Sequence, residues 1–123
     1  MVTIRTSIYD RAPDLILSDV DALDAALDKA SIEARATGKL NIVVLGAPNR
    51  DWLSLVLGGD ETVLGFNYGH GNPPYYASAG TDQTDEPLFT AFMGLEHHTE
   101  FPRRWVVPDS VGRQAARAAH LNC

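Results

Sequence analysis

The first strong pattern in the chain is helical. Apolar residues recur every three or four positions from Val20 to Ala34, which draws one apolar stripe along a helix predicted over Asp19 to Thr37. Ser18 is a suitable N-cap, because its hydroxyl can accept a hydrogen bond from a free backbone N–H in the first turn. Gly38 suits the left-handed conformation that commonly ends a helix. The spacing therefore predicts a long amphipathic first helix.

Apolar runs separated by turn-forming residues follow this helix and predict strands. The runs cover Leu40 to Leu45, Trp52 to Leu57, Thr62 to Tyr68, Tyr75 to Ser78 and Leu88 to Leu95, with a short last one at Trp105 to Val107. The connections between them are short. They favour antiparallel neighbours, since parallel neighbours need crossovers of a dozen residues or more.

The two ends of the chain carry weaker patterns. The first seventeen residues are broken by Pro13 and predict irregular structure with one short edge strand. A second helix is predicted from Asp109 to near His120, with a thin apolar stripe of Val111, Ala115 and Ala118. Both helices are expected to cover one face of an antiparallel meander of about five to six strands. The predicted fold is α+β, in a single domain spanning residues 1–123.

Composition and charge narrow the function classes. Hydrophobic residues make up 45% and charged residues 21%, as in a globular chain, and no apolar run is long enough to cross a bilayer. Ten Lys and Arg against sixteen Asp and Glu give a net charge of −6, which disfavours nucleic acid and anionic membranes and favours basic partners. The absence of a secretory signal and the single cysteine, Cys123, favour a cytoplasmic location.

The residues that could carry chemistry form no recognisable catalytic motif. The chain has no nucleophile elbow, no phosphate-binding loop and no spacing typical of a metal or cofactor site. The strongest alternative is a small metal-dependent enzyme in which His70, His98 and Glu100 hold the metal. Against it, the segment from Glu96 to Glu100 is typical of a polar loop after the preceding strand, and the adjacent His97 would point away from His98 in a strand. We therefore predict no catalytic residue, metal or cofactor.

Two sequence blocks resemble a known family. The stretch from Asn41 to Leu64, which contains Leu57-Gly-Gly-Asp-Glu61, and the stretch His98-Thr-Glu-Phe-Pro102 with the later Val107-Pro108 are similar to the first-described immunity-protein family of bacterial polymorphic toxin systems. The resemblance covers roughly Ser18 to Ala119. It implies a small α+β protein that binds and neutralises a toxin, often a nucleic-acid cytidine deaminase of the zinc type. Such a toxin needs a basic cleft, which an acidic inhibitor is suited to occupy.

Acidic and aromatic residues indicate where a toxin would bind. Alternate turns of a meander emerge at the same end of the sheet, so the loops after Tyr68 and Leu95 are expected to lie together. We predict one partner-binding cluster, with Asp60 and Glu61 as a second candidate; the cluster consists of His70, Tyr75, His98 and Glu100. The acidic stripe of Asp21, Asp24 and Asp28 on the first helix is the fallback, although it is also typical of a solvated helix face.

Overall fold

The structure is a computed structural model that describes residues 2–5, 15–93 and 97–121. The helices are α1 (Val20–Thr37) and α2 (Asp109–Leu121), and a 3-10 turn covers Arg103–Trp105. The strands are β1 Val2–Arg5, β2 Leu15–Leu17, β3 Asn41–Gly46, β4 Trp52–Leu57, β5 Glu61–Thr62, β6 Gly65–Asn67, β7 Tyr75–Ala77, β8 Phe89–Met93, β9 His97–Phe101 and β10 Val107–Pro108. The predicted α+β class is confirmed. The predictions that involve Pro13, Leu95, Glu96 and Cys123 lie outside the described residues.

Helix α1 forms where the apolar spacing predicts it, with a different first cap. Asp19 has an extended backbone, and its Oδ1 accepts a hydrogen bond from Ala22 N–H at 2.7 Å. The prediction that Ser18 caps the helix is therefore wrong: both residue types are good caps, and Asp19 is the one that lies three positions before the free N–H. Gly38 ends the helix in the left-handed conformation at φ 71°, as predicted.

The main core lies between the helices and the central strand pair β3–β4. Leu55 and Leu57 of β4 are 1% and 0% exposed and pack with Leu23 and Leu27 of α1, both at 0%. Leu53 packs against the same cluster, so the alternate leucines of β4 face the first helix, as predicted. Both helices cover this face of the sheet.

The sheet is mostly antiparallel and divides at β3. Its main path runs in the order β2-β1-β3-β4-β6-β7. The β4 strand occupies one whole edge of β3, while the other edge is shared: β1 pairs with Val44 to Gly46, and β8 pairs in parallel at Asn41 through Phe92. Strand β9 then pairs with β8 as an antiparallel hairpin. Strands β3, β4, β6 and β7 are neighbours in the sheet and form the meander. The β8–β9 hairpin follows β7 in the chain but joins the sheet at the opposite edge of β3.

A second core lies on the face of β3–β4 that points away from the helices. Ile42 and Val56 are cross-strand neighbours and pack with Phe89 and Ala91 of β8 and with Val106. The sheet therefore curls, so that the β8–β9 hairpin covers part of this face.

One predicted strand is split in two. The run from Thr62 to Tyr68 was expected to be continuous, but β5 pairs with β10 in a separate ribbon and β6 joins the main sheet. Side chains take the hydrogen bonds at the break: Thr62 Oγ1 accepts from Val56 N–H at 2.8 Å, and Ser78 Oγ accepts from Leu64 N–H at 3.0 Å. The prediction of one continuous strand is therefore wrong: at the break, these side-chain bonds stand beside a single backbone bond, from Ser78 N–H to Leu64 O at 2.9 Å.

Two further segments differ from prediction. The polar loop expected up to Glu100 is strand β9, in which exposed His98 and Glu100 alternate with the half-buried Thr99 and Phe101. The strand expected at Trp105 to Val107 is instead a 3-10 turn followed by β10. Polar residues in β9 mark the outer face of a hairpin, which a search for apolar runs does not detect.

The beginning of the chain is more regular than expected. In its described part, β1 lies between β2 and β3, so β1 is an internal strand and β2 is the edge. The prediction of irregular structure with one edge strand was wrong there, because the pairing partner of β1 lies forty residues further along the chain, at Val44 to Gly46.

Helix α2 covers its predicted range but buries another face. Val111 is 40% exposed, whereas Gly112, Ala116 and His120 are buried. A Cβ on Gly112 would lie 2.8 Å from Thr62 Cγ2, so glycine allows the helix to approach β5 closely. The imidazole of His120 bonds to Leu17 O at 3.2 Å. The predicted stripe of Val111, Ala115 and Ala118 was therefore wrong.

Candidate functional site

A groove opens on the face of the sheet that points away from the helices. Its floor is a row of small residues, Ser54, Gly65 and Ala77, which are direct cross-strand neighbours on β4, β6 and β7. Its walls are aromatic and come from Tyr75 of β7, Phe101 of β9 and Trp105 of the 3-10 turn. The volume is about 250 Å³, and we call this feature the groove.

The groove exists because the second core stops at this row. The neighbouring row on the same face, Ile42 and Val56, is covered by Phe89 and Ala91, whereas the small floor residues leave space above them. A Cβ on Gly65 would lie 2.7 Å from Ser54 Oγ, so the floor cannot accept a larger residue at position 65 without a shift. The space is therefore set by the sequence of the floor.

Backbone and hydroxyl contacts hold the far wall in place. Ser78 Oγ donates to Trp105 O at 2.5 Å, and Gly80 N–H donates to Arg104 O at 2.7 Å. A Cβ on Gly80 would lie 1.9 Å from Val106 O, so glycine is required for this close approach. These contacts fix the 3-10 turn, and with it Trp105, against the chain that follows β7.

The loop between β6 and β7 positions His70 and Tyr75. Gly69 N–H donates to the Asp51 carboxylate at 2.7 Å, which ties the loop to the turn before β4. The hydroxyl of Tyr75 donates to Gly71 O at 2.9 Å, and His70 Nδ1 accepts from a backbone N–H two residues further on, also at 2.9 Å. Tyr75 is nevertheless 58% exposed, so most of its ring is open to a partner.

An exposed aromatic patch lies on the other side of this hairpin. Tyr68 stacks on His70 with ring centroids 5.5 Å apart and meets Tyr76 and Phe66 edge-on at 6.1 Å and 5.1 Å. A side-chain hydrogen bond with Tyr76 raises the pKa of Tyr68 above its ordinary value.

His98 and Glu100 form a second exposed pair on β9. Their side chains are 58% and 51% exposed, and His98 Nε2 lies 3.9 Å from Glu100 Oε1. His98 also contacts Phe92 of β8, with ring centroids 6.1 Å apart. Lys39 Nζ lies 4.9 Å from the centre of the same Phe92 ring. This surface combines both charge signs with an aromatic ring.

The four residues predicted to form one cluster fall into two pairs. His70 and Tyr75 make their contacts within the β6–β7 hairpin, and His98 and Glu100 make theirs within the β8–β9 hairpin. Between these pairs the described residues show no hydrogen bond, ion pair or ring contact. The groove is where the two hairpins meet, because Tyr75 and Phe101, the neighbour of Glu100, line it together. That these residues bind a partner stays a prediction.

The second candidate pair lies at the β5 turn. Asp60 is exposed, and its backbone oxygen accepts from Asp109 N–H at 2.9 Å, which fixes the turn to the start of α2. Glu61 Oε1 pairs with Arg103 Nη1 at 3.1 Å. Arg104 Nε pairs with Asp85 Oδ1 at 3.2 Å. Glu61 therefore belongs to a charged surface beside Trp105 of the groove wall.

The acidic stripe of α1 is largely used inside the molecule. Asp24 pairs with Arg117 Nε at 3.0 Å, and Asp28 pairs with Arg113 Nη2 at 2.9 Å. Both arginines belong to α2, so these contacts join the two helices. Two of the three acidic positions of the stripe therefore form ion pairs between the helices. The third, Asp21, is exposed beside them.

Tyr75 was predicted from the sequence as a partner-binding residue, but the other groove residues were not. Ser54, Gly65 and Ala77 are small residues inside strands, which is a signal of close approach or missing volume on one face. Phe101 ends the segment that was expected to be a polar loop, and Trp105 begins a segment that was expected to be a strand. Only the register across β4, β6 and β7 shows that the small residues form one row.

The part of the chain that the structure describes contains neither a metal site nor a membrane-spanning helix. Within residues 2–5, 15–93 and 97–121, no group of three or more His, Cys, Asp and Glu side chains is placed to hold a metal ion. The alternative metal site would need His70 from one hairpin and His98 and Glu100 from the other. The described helices include none with the length and apolar character needed to span a bilayer.

The groove and its exposed aromatic rim have the character of a protein-binding surface, because exposed aromatic side chains around a pocket are typical anchors of protein interfaces. A family model described as Immunity protein Imm1 matches residues 11–118. The chain therefore belongs to the Imm1 family of immunity proteins, as the sequence resemblance indicated. Membership implies a cognate toxin protein as the binding partner and suggests a binding role and not an enzymatic one. Comparisons with curated proteins and with solved structures found no match.

Proposed function

We propose that this immunity protein neutralises a nucleic-acid cytidine deaminase toxin by occluding the basic active-site cleft of the toxin. The observation that carries the proposal is family membership combined with a net charge of −6. A deaminase that binds nucleic acid presents a positive cleft around its zinc. An acidic protein is steered toward such a cleft, and its carboxylates can take the place of phosphates.

The arrangement of the ion pairs supports this charge argument. Arg103, Arg104, Arg113 and Arg117 each pair with a carboxylate of the same chain. Their positive charges are therefore partly neutralised at the surface. Each pair also uses one carboxylate, so the acidic excess of the chain is unchanged, and exposed carboxylates such as Asp60, Asp82 and Glu86 contribute to it.

The test uses the toxin domain encoded beside the gene, co-expressed with this protein. We expect co-purification, survival of the host cell, and loss of cytosine deamination on single-stranded DNA when the protein is added to the purified toxin. Occlusion also predicts that the DNA and this protein compete for the toxin. A ternary complex of toxin, DNA and this protein would overturn occlusion, and a toxin with another activity would overturn the deaminase assignment.

A charge comparison sharpens the test. Asp82→Asn with Glu86→Gln removes two exposed carboxylates from the loop before β8, and Asp21→Asn with Glu33→Gln removes two from α1. If the loop faces the cleft, the first pair lowers the association rate more than the second. The difference should shrink at high salt, because screening removes long-range attraction. Equal effects of the two pairs would show that only net charge matters.

A further inference from the structure

We propose that the groove receives one large apolar side chain of the toxin, carried on a basic segment. The proposal rests on the proposed function only in taking a toxin as the partner, and it does not depend on what the toxin does chemically. It assigns the anchoring point of the interface to Ser54, Gly65 and Ala77 on the floor, with Tyr75, Phe101 and Trp105 as the walls.

The size of the groove selects the occupant. Its volume of about 250 Å³ exceeds that of an apolar cavity of about 150 Å³ that holds a benzene molecule. It is smaller than the pockets of about 300 Å³ and above that hold drug-sized ligands. One aromatic or long aliphatic side chain therefore fits within the groove.

The lining selects apolar chemistry. The walls are aromatic, and the tyrosine hydroxyls of the lining have partners, since Tyr75 donates to Gly71 O and Tyr76 bonds with Tyr68. On the floor, Ser54 Oγ lies 3.5 Å from Gly65 O. An apolar side chain placed here gains the transfer free energy of burial without leaving a polar group unpaired. The exposed ring of Tyr75 would be covered by the same event, as is typical of a binding hot spot.

The charges beside the groove select a basic segment around that side chain. Next to Trp105, Arg103 and Arg104 are paired with Glu61 and Asp85. The same surface carries Asp82, whose pKa is lowered by hydrogen bonds from Thr84 and by the nearby Arg103, and the exposed Glu86. Four carboxylates thus stand against two guanidinium groups. Lysine or arginine residues flanking the apolar anchor would meet this excess of negative charge.

The test fills the groove from inside. Ala77→Leu places a larger side chain on the floor at an exposed position of an edge strand, where the fold tolerates it. Ala25→Leu is the matched control, since Ala25 is exposed on α1 and lies on the opposite side of the sheet. With both variants shown to melt like the parent chain, we expect Ala77→Leu to weaken binding of the co-expressed toxin domain by about 30-fold or more, as for a hot spot. Ala25→Leu should bind as the parent does.

A crosslinking measurement identifies the occupant. A photoreactive phenylalanine analogue at position 75 keeps the size of the tyrosine ring and lies in the groove wall. We expect mass spectrometry to locate its crosslink on an apolar side chain of the toxin that is flanked by lysine or arginine. A crosslink on an acidic or polar segment would overturn the proposed occupant.

The remaining outcomes are equally decisive. Binding of Ala77→Leu at parental strength would overturn the groove as the anchoring point. Self-association of the free protein that Ala77→Leu abolishes would assign the groove to a second copy of this chain and also overturn the proposal. A toxin that proves not to be a deaminase would overturn the proposed function and leave the groove measurement valid, because that measurement records binding alone.

Discussion

The two faces of the β3–β4 pair are built differently. On the helix side, Leu55 and Leu57 are fully buried against Leu23 and Leu27, and this layer is closed. On the other side, the layer is closed at Ile42 and Val56 but opens at the next row into the groove. The same two strands therefore carry a complete core on one side and an incomplete one on the other.

This difference separates stability from recognition. A closed core tolerates little change in volume, because every neighbour is in contact. An open row with exposed aromatic walls contributes less to folding and is available to a partner. Substitutions on the helix side should therefore change the free energy of unfolding, while substitutions around the groove should change toxin binding.

The largest expected effect is on the closed face. Leu55→Ala should lower the free energy of unfolding by about 2–5 kcal/mol, because it removes a buried side chain and leaves a cavity. Urea unfolding measures the change. Ile32→Ala on α1 is the control, since Ile32 is 65% exposed and its truncation should change stability by about 0.5 kcal/mol or less. A cost below about 1 kcal/mol for Leu55→Ala would contradict the closed core.

The next effect is on the open face. Tyr75→Ala should weaken toxin binding by about 2 kcal/mol, because it removes an exposed groove wall, with little change in stability. Calorimetric titration with the toxin domain measures it, and Ile32→Ala on α1, which is 65% exposed, is the control. Glu100→Ala should have the smaller effect of the two site residues and act mainly on the association rate. If Tyr75→Ala and Glu100→Ala weakened toxin binding equally, the result would instead support a single binding cluster of His70, Tyr75, His98 and Glu100.

A smaller effect is expected at the interhelix ion pairs. Asp24→Asn combined with Asp28→Asn should lower stability by about 1 kcal/mol and leave toxin binding unchanged, because these partly exposed carboxylates hold α2 against α1. Thermal unfolding and the same binding assay measure both properties. A loss of toxin affinity without a loss of stability would make the stripe a docking surface after all.

The smallest effect concerns the ionisation of Asp82 beside the groove. Hydrogen bonds from the backbone N–H and hydroxyl of Thr84 hold the pKa of Asp82 below its ordinary value of 3.8. The resulting contribution to stability is present above pH 3.8 and is lost as the pH falls through the lower, folded-state pKa. In Thr84→Val the hydroxyl is gone and the backbone bond remains, so an NMR titration should show the pKa of Asp82 rising only part of the way. An unchanged pKa would mean that the hydroxyl has no role.

Local patterns predicted the elements that are stabilised by local interactions. The apolar spacing of α1, its end at Gly38 and the leucines of β4 follow from periodicity and turn chemistry within one segment. The fold class and the family followed as well. These features need no knowledge of distant partners, which is why the sequence was sufficient for them.

Features that depend on distant partners could not be read from the sequence. Strand β1 is internal because it pairs with β3, and α2 buries Ala116 because this residue packs into the core formed by α1 and β4. The binding role of His70, Tyr75, His98 and Glu100 stays a prediction, but their placement on two hairpins has the same origin: counting turns treats the strands as one meander, whereas the sheet divides at β3. Aromatic walls that lie on β7, β9 and the 3-10 turn meet only in the folded chain.

The floor of the groove also bears on how new partner preferences could evolve. A side chain at position 65 would require Ser54 to move, whereas Ala77 is exposed on an edge strand and carries little of the fold. Successive substitutions at position 77 would shorten or deepen the recess in steps while the leucine layer beneath the helices stays intact. A lineage facing an altered toxin could thus retune its specificity at one position without first acquiring a compensating stabilising mutation.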